Sequence, residues 1–180
     1  MASLMAMTAL GAREAAVVTV GPLSIAERVD VAVASVAVRR GRVLAAGVIP
    51  QPGPSRWEAG KPFSAFWVTP DMWFVEADFA AHELLADGLK ASFGDAASVT
   101  EQTDAWVIFD LSAPDLAPVF ERLCNVDFQA LPEGYATRTV LDHLGVYLIK
   151  HGSGAARVYG PRSSAQSLLH ALKIAARSAF

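Results

Sequence analysis

Hydrophobic and polar positions alternate along several stretches of the chain, and this pattern predicts strands separated by short turns. Val31–Val38 contains mainly Val and Ala, which is typical of a buried strand. Phe63–Val68 and Met72–Ala77 flank the turn sequence Thr69-Pro70-Asp71, so they predict a hairpin. Further extended segments are predicted at residues 98–111, 137–144, 146–150 and 156–159.

Apolar residues three and four positions apart indicate helices between the strands. The predicted helices cover residues 39–48, 79–93, a segment that begins at 112, and 164–178. Asp78 is suited to cap the second of these, and Ser112 with Asp115 resembles a capping box at the third. Helices mixed with short strands and hairpins predict the α+β class, with helices packed on an antiparallel or mixed sheet.

The order of these elements predicts a simple domain organisation. Residues 1–30 contain Gly21 and Pro22 and are predicted to form a weakly ordered N-terminal segment. Residues 31–180 are predicted to form a single domain, because their length is enough for one hydrophobic core. Neither Met1–Leu10 nor Val29–Ile49 is expected to act as a signal or a membrane span.

The composition adds information about the surface of the protein and its binding partners. Hydrophobic residues make up 53% of the 180 residues and charged residues only 18%, against roughly 25% charged in an average domain. A surface with so few charges predicts apolar patches that other proteins cover, although an alanine-rich sequence explains the same numbers.

The net charge of −3 argues against binding to nucleic acid. A single cysteine fits a reducing compartment, so we expect a cytoplasmic protein.

Catalytic motifs give little support to an enzyme. Cys124 ends a predicted amphipathic helix, where a buried structural thiol is the expected role. The four histidines do not have the spacing of metal ligands. Gly152-Ser153-Gly154 falls in a predicted turn, and residue 157 is Arg, so the dinucleotide-binding pattern is incomplete. The sequence therefore predicts no catalytic residue, no metal ligand and no cofactor ligand.

Two places remain as candidates for binding an anion. Arg162 and Ser163 lie just before the last helix, where backbone N–H groups and a guanidinium group suit a carboxylate or phosphate. The alternative is that Ser163 is an ordinary N-cap. Arg138 is the second candidate, and a structural salt bridge explains it equally well. Arg138, Arg162 and Ser163 are thus the predicted contacts for a small anion.

Several segments resemble the gamma subunit of heterotetrameric sarcosine oxidase, and they occur in the same order. The resemblance extends from about Val31 to the C-terminus. No single segment is a functional signature, but five in order are specific. The segments are Ser64–Glu76, Gly94–Trp106, Leu123–Asp127, Ala136–Val140 and Gly160–Leu168.

The resemblance implies a fold and a role in a complex. Enzymes of this family demethylate sarcosine oxidatively to glycine, producing hydrogen peroxide and either formaldehyde or, with tetrahydrofolate, methylenetetrahydrofolate. Their alpha subunit binds NAD, their beta subunit carries FAD and FMN, and their delta subunit binds zinc. The gamma subunit is similar to the folate-binding fold of the glycine-cleavage T-protein. No catalytic residue is implied for this chain.

Three hypotheses follow from the sequence. The leading one is a non-catalytic gamma subunit with alpha, beta and delta subunits as partners. The second is a stand-alone module that binds folate or a small anion through Arg138 and Arg162. The third is a free-standing aminomethyltransferase, for which Asp104 and Asp110 are available carboxylates that nothing in the spacing selects.

Overall fold

The computed structural model describes residues 5–180 and contains two antiparallel sheets and three α-helices. This confirms the predicted α+β class. Within the described residues, no helix combines the length and the hydropathy needed to cross a bilayer. The chain divides into two compact units. The first contains the residues up to Val29 together with Ala105–Glu133 and Arg138–Phe180, and the second contains Asp30–Asp104 and Gly134–Thr137.

The first unit, called the six-stranded unit below, is built on a sheet with the order β1-β2-β8-β11-β10-β9. Two helices, α2 and α3, belong to the same unit. The hairpin β10–β11 and the pairing of β11 with β8 form its centre. The bounds are β1 Val17–Val20, β2 Leu23–Arg28, β8 Trp106–Ser112, α2 Ala117–Phe120, β9 Tyr135–Leu141, β10 Leu144–Gly152, β11 Ala155–Pro161 and α3 Ala165–Ala179.

The second unit, called the five-stranded unit, has a sheet with the order β4-β5-β6-β3-β7 and one helix, α1. The central strand β3 pairs with β6 and β7, and both pairings are antiparallel. The predicted hairpin is confirmed as β5 and β6. The bounds are β3 Val31–Val38, β4 Trp57–Glu58, β5 Ser64–Thr69, β6 Met72–Asp78, α1 Leu85–Phe93 and β7 Ala97–Glu101.

Each unit buries its own apolar core between its sheet and its helices. In the six-stranded unit, alternate residues of β8, β10 and β11 pack against α3, whose buried side includes Leu168 and Leu172. This follows from the two-residue period of the strands and the 3.6-residue period of the helix. The rings of Phe120 and Phe128 stack at 4.5 Å in the same core. In the five-stranded unit, α1 buries Leu85, Leu89 and Phe93 on its sheet.

The N-terminal part of the chain is more ordered than its sequence predicted. Residues 17–28 form β1 and β2 rather than a weakly ordered segment. Leu23 and Ile25 on β2 are almost completely buried in the core, which explains why this segment is fixed. Val29 is the last residue of the first stretch of the six-stranded unit, and Asp30 begins the five-stranded unit. That residues 31–180 form a single domain stays a prediction.

Three predicted elements differ in the structure, each for a local reason. Residues 39–48 contain turns and no helix, because Gly41 and Gly47 adopt positive φ angles of 73° and 80° that a helix excludes. The helix predicted at 79–93 begins only at Leu85, since the Asp78 carboxylate accepts the Ala81 N–H and closes a separate turn. The helix predicted from residue 112 is reduced to α2, because Ser112 is still the last residue of β8 and cannot begin a helix.

The extended segment predicted at 98–111 is divided between the two units. A 3-10 turn at Thr103–Ala105 separates β7 from β8. The Thr103 hydroxyl accepts the N–H of Val33 at 2.9 Å and so fixes the turn beside β3. The sequence pattern does not reveal this change of sheet, because the residues on both sides of the turn have the same strand-like alternation of apolar and polar positions.

Candidate functional site

Arg162 and Ser163 precede α3 as predicted, but the guanidinium group of Arg162 hydrogen-bonds to the backbone of this chain. They lie in a 3-10 turn, Arg162–Ser164, that leads into the helix. The Arg162 Nη2 donates to the carbonyl oxygen of Met7 at 2.9 Å. One turn further, the Gln166 side-chain amide donates to the Leu10 carbonyl at 2.8 Å. The residues before β1 are therefore held across the beginning of α3.

The interpretation of Ser163 as an N-cap is wrong. The residue at the cap position of α3 is Ser164, and its side chain makes no capping hydrogen bond. Ser163 is exposed within the 3-10 turn. Its role as an anion contact stays a prediction, as does that of Arg162.

Arg138 lies on β9, at an edge of the six-stranded sheet, and is exposed. Its Nη2 approaches within 4.0 Å of the position that a Cβ on Gly145 of β10 would take. Burial raises the pKa of Tyr147, which also lies on β10, and the positive charge of Arg138 opposes that rise. Strand β10 separates Arg138 from β11, the strand that leads to Arg162.

The structure also brings together a charged group that the sequence did not reveal. Asp110 on β8 pairs in register with Arg157 on β11, and Arg28 lies at the end of the neighbouring strand β2. Arg157 donates to Asp110 through Nε at 2.7 Å and through Nη2 at 2.9 Å. Arg28 also donates to Asp110, so one carboxylate lies between two guanidinium groups. We call these three residues the charged row.

The electrostatics of the charged row favour an ionised carboxylate on Asp110. Burial alone would raise the pKa of Asp110, but the hydrogen bonds and charges of Arg157 and Arg28 outweigh it, so the net pKa lies below its ordinary value. The side chains are not fully buried, with 14% of Arg157 and 30% of Asp110 and Arg28 exposed.

The charged row lies on the opposite face of the sheet from the α3 core. Phe109 and Leu111, the sequence neighbours of Asp110, point into that core, and strand side chains alternate between faces. Ile108, Tyr147 and Tyr159 on the second face are also buried. The ring of Tyr147 meets that of Trp106 edge-on at 5.3 Å. This face therefore combines buried aromatic side chains with a charged row.

Other residues considered for chemistry have structural environments. The Cys124 Sγ donates to the Phe120 carbonyl at 3.5 Å, and burial raises the pKa of the thiol, which makes it a poor nucleophile. The His82 ring packs against Phe63 at 5.2 Å and lies in a turn, not in the predicted helix. Within residues 5–180 no three His, Cys, Asp or Glu side chains are placed to hold a metal ion.

Lys150 is a buried cation that sequence reasoning missed. Its Nζ donates to the carbonyl oxygens of Phe128 at 2.7 Å, Leu131 at 2.7 Å and Gln129 at 3.3 Å. It also lies 4.8 Å from the centre of the Phe128 ring. Three carbonyl partners use all three N–H donors of an ammonium group. Lys150 therefore fastens the 128–131 segment to β10.

Known proteins share this architecture, although sequence comparison alone finds no relative. No family model and no curated protein sequence matches the chain. A chain of heterotetrameric sarcosine oxidase from Corynebacterium sp. U-96, solved in complex with pyrrole 2-carboxylate, superposes with a TM-score of 0.74 at 17% identity. The match covers 87% of this chain and 84% of that chain. This chain has the fold of a sarcosine oxidase chain.

A second solved structure agrees on the fold. The glycine cleavage system aminomethyltransferase T from Bartonella henselae matches 84% of this chain with a TM-score of 0.58 and 15% identity. This chain spans only 48% of the aminomethyltransferase. The two likenesses confirm, at the level of the fold, the resemblance to a sarcosine oxidase chain and to the T-protein.

Proposed function

We propose that this chain is a gamma-type subunit of a sarcosine oxidase complex and has no catalytic activity of its own. The supporting observation is the extent of the fold match, which includes 84% of the sarcosine oxidase chain but 48% of the aminomethyltransferase. The chain thus corresponds to most of one chain of a multi-subunit oxidase and to about half of a folate enzyme. An auxiliary subunit accounts for both proportions.

In this proposal the partner subunits provide the chemistry. Alpha, beta and delta subunits bind NAD, the two flavins FAD and FMN, and zinc, and the assembled enzyme converts sarcosine to glycine in the cytoplasm. The hydrogen peroxide, formaldehyde and methylenetetrahydrofolate are products of the complex. The apolar composition, with 53% hydrophobic and 18% charged residues, fits a chain that is covered by partners.

Co-expression tests this proposal directly. The chain carrying an affinity tag is produced together with candidate alpha, beta and delta subunits from the same genome, and the purified material is assayed for sarcosine-dependent peroxide. We expect the flavin-containing subunits to be retained and the activity to be present. Recovery of the chain alone, with full peroxide production by the other three subunits in its absence, would contradict the proposal.

The exposed Arg138 favours a second candidate, a module that binds folate or another small anion. Arg138 lies on the edge strand of the six-stranded sheet, where a ligand can approach its guanidinium group. The glutamate part of folate offers carboxylates that suit such groups. Calorimetric titration of the isolated chain with tetrahydrofolate tests this candidate. Binding that is weakened by Arg138→Ala favours it, and the absence of heat at high ligand concentration removes it.

A further inference from the structure

An open groove of about 320 Å³ lies on the six-stranded unit beside the C-terminal half of α3. The end of α2 and the turn between β9 and β10 complete its walls. Leu123, Ala171 and Ala175 give it an apolar lining, and Ile174 at its border is 48% exposed. A volume near the lower limit of about 300 Å³ for ligand pockets, open to solvent, suits one or two protruding side chains better than an enclosed small molecule.

Arg122 is held in a fixed position at the rim of this groove. Its Nε donates to the Ser178 hydroxyl at 3.0 Å, and its Nη1 donates to the Pro118 carbonyl at 2.5 Å. Throughout the described part of the chain, no carboxylate lies within ion-pair distance of it. An arginine that is already immobilised loses little side-chain entropy when it binds a carboxylate.

The charged residues of helix α3 are positive, although the whole chain has a net charge of −3. Lys173 precedes Ile174 in α3, Arg177 follows one turn later, and the helix has no acidic residue. The groove itself is lined by one arginine, Arg122, and one acidic residue, Asp142. The exposed Ile174 therefore lies on a helix whose charged side chains are all basic. A surface of this kind is complementary to a negatively charged partner with an apolar anchor.

We propose that the groove beside α3 receives an acidic segment of a partner subunit, whose aliphatic or aromatic anchor residue packs on Ile174 and Ala171. This inference rests on the proposed function, since the partner is a subunit of the same complex. Carboxylates of the segment bind Arg122, Lys173 and Arg177. Arginine and buried apolar anchors are typical of the residues that dominate binding energy at interfaces.

The first experiment compares variants in the assembly assay. Ile174→Asp removes the apolar anchor and adds a negative charge, and the double variant Lys173→Glu/Arg177→Glu reverses the local charge. We expect each to weaken retention of the partner subunits by about tenfold or more, since hot-spot residues have effects of that size. Val17→Asp is the matched control, because Val17 on β1 is 69% exposed. It should leave retention within about twofold of wild type.

A second experiment identifies the chemistry of the partner segment. A carbodiimide joins an amine to a carboxylate without a spacer, so Lys173 should form cross-links with Asp or Glu residues of a partner subunit. The variant Lys173→Arg keeps the charge but lacks the reactive amine, and these cross-links should disappear while assembly is kept. Higher salt should weaken assembly of the wild type more than that of the charge-reversed variant.

The outcomes separate this inference from the proposed function. If the wild type and both groove variants assemble equally well, the groove is not the docking site, and the proposed function is unaffected. If Lys173 cross-links only to other copies of this chain, the groove joins like subunits and the inference is wrong. If the wild type never retains a partner, both proposals fail.

Discussion

The two units of this chain are similar in architecture but differ in how they are stabilised. The six-stranded unit has 21 buried residues in its apolar cluster, and a helix of 15 residues packs on them. The five-stranded unit has 13 such residues and a helix of 9 residues. Because burial of apolar surface is the main stabilising term, we infer that the six-stranded unit relies on its core. The five-stranded unit has the smaller core, and polar contacts of its indole side chains add to it.

Those polar contacts in the five-stranded unit fix its irregular segments. The Trp73 Nε1 donates to the Pro52 carbonyl at 2.9 Å, and the Trp57 Nε1 donates to the Glu76 carboxylate at 2.8 Å. Glu76 is 4% exposed, and the hydrogen bond from the Trp57 indole lowers the cost of burying its carboxyl group. The comparison teaches that the two units differ in the size of their cores, while both order segments between strands with polar side chains, Lys150 in one unit and Trp57 and Trp73 in the other.

The largest expected effect tests whether the six-stranded unit has an important polar contact of its own. Lys150→Met keeps the length of the side chain but leaves three carbonyl oxygens without their charged donor. We expect a loss of about 3 kcal/mol in the free energy of unfolding, measured by urea denaturation. Lys61→Met, at an exposed position, should change it by less than about 0.5 kcal/mol. Equal midpoints for the two variants would contradict this role of Lys150.

The next prediction concerns packing between β11 and α3. A methyl group on Gly160 would overlap with the Leu168 side chain, so Gly160→Ala should cost about 2 kcal/mol. Leu168→Ala alone should cost about 3 kcal/mol, because it leaves a cavity in a fully buried position. The double variant should lose about 1 kcal/mol or more less unfolding free energy than the sum of the two single losses. Strict additivity in denaturation experiments would show that the two residues do not share space.

A third prediction addresses the polar contacts of the five-stranded unit. Trp73→Phe removes the indole donor of Pro52, and we expect a loss of about 1–2 kcal/mol. It should also accelerate limited proteolysis between residues 50 and 60. Trp67→Phe is the control, because Trp67 is a partly buried neighbour of the same core. If both variants are cleaved at the wild-type rate, the indole hydrogen bond does not hold this segment.

The smallest effect compares one ion pair from each unit. Asp110→Asn should cost about 1 kcal/mol near neutral pH, since it removes the ion pair with Arg157, whose side chain is 14% exposed. Asp95→Asn should cost less than about 0.5 kcal/mol, because Asp95 is 86% exposed and its partner Arg39 is 47% exposed. Urea denaturation of both variants measures the difference.

The pH dependence of that difference has a defined sign. The folded-state pKa of Asp110 lies below its ordinary value of 3.8, so its stabilising contribution is present above that value. The contribution is lost as the pH falls through the folded-state pKa, when the carboxyl group becomes protonated. The gap between wild type and Asp110→Asn should therefore be full at neutral pH and should close under strongly acidic conditions. A gap that widens on acidification would contradict the assignment.

Sequence patterns correctly predicted the helices and strands that depend mainly on local sequence signals. Helix α3 and the β5–β6 hairpin were predicted within a few residues, because an amphipathic period and a Pro-Asp turn are local signals. Residues 17–28 were missed, since β1 and β2 are ordered by pairing with each other and with β8, which is 80 or more residues away. Long-range pairing of this kind leaves no local signal.

The candidate site was predicted less well for the same reason. Arg162 was selected for its place before a helix, but its guanidinium contacts Met7, which is 155 residues away. The charged row brings Asp110 together with Arg157 and Arg28 across separations of 47 and 82 residues. Only the order of the strands in the sheet makes these residues neighbours. Asp110 was noted as an available carboxylate, and its partners were not.

Glu27 at the end of β2 places a practical limit on shortening this protein. The oxygens of its buried carboxyl group accept the N–H groups of Leu10 and Ala16, each at 3.1 Å, so one side chain holds both ends of residues 10–16. A version trimmed to start at β1 would lose both donors and also the carbonyl groups that Arg162 and Gln166 contact. Anyone designing a minimal fragment or choosing a tag position should therefore keep residues 7–16 and extend the chain outward from them.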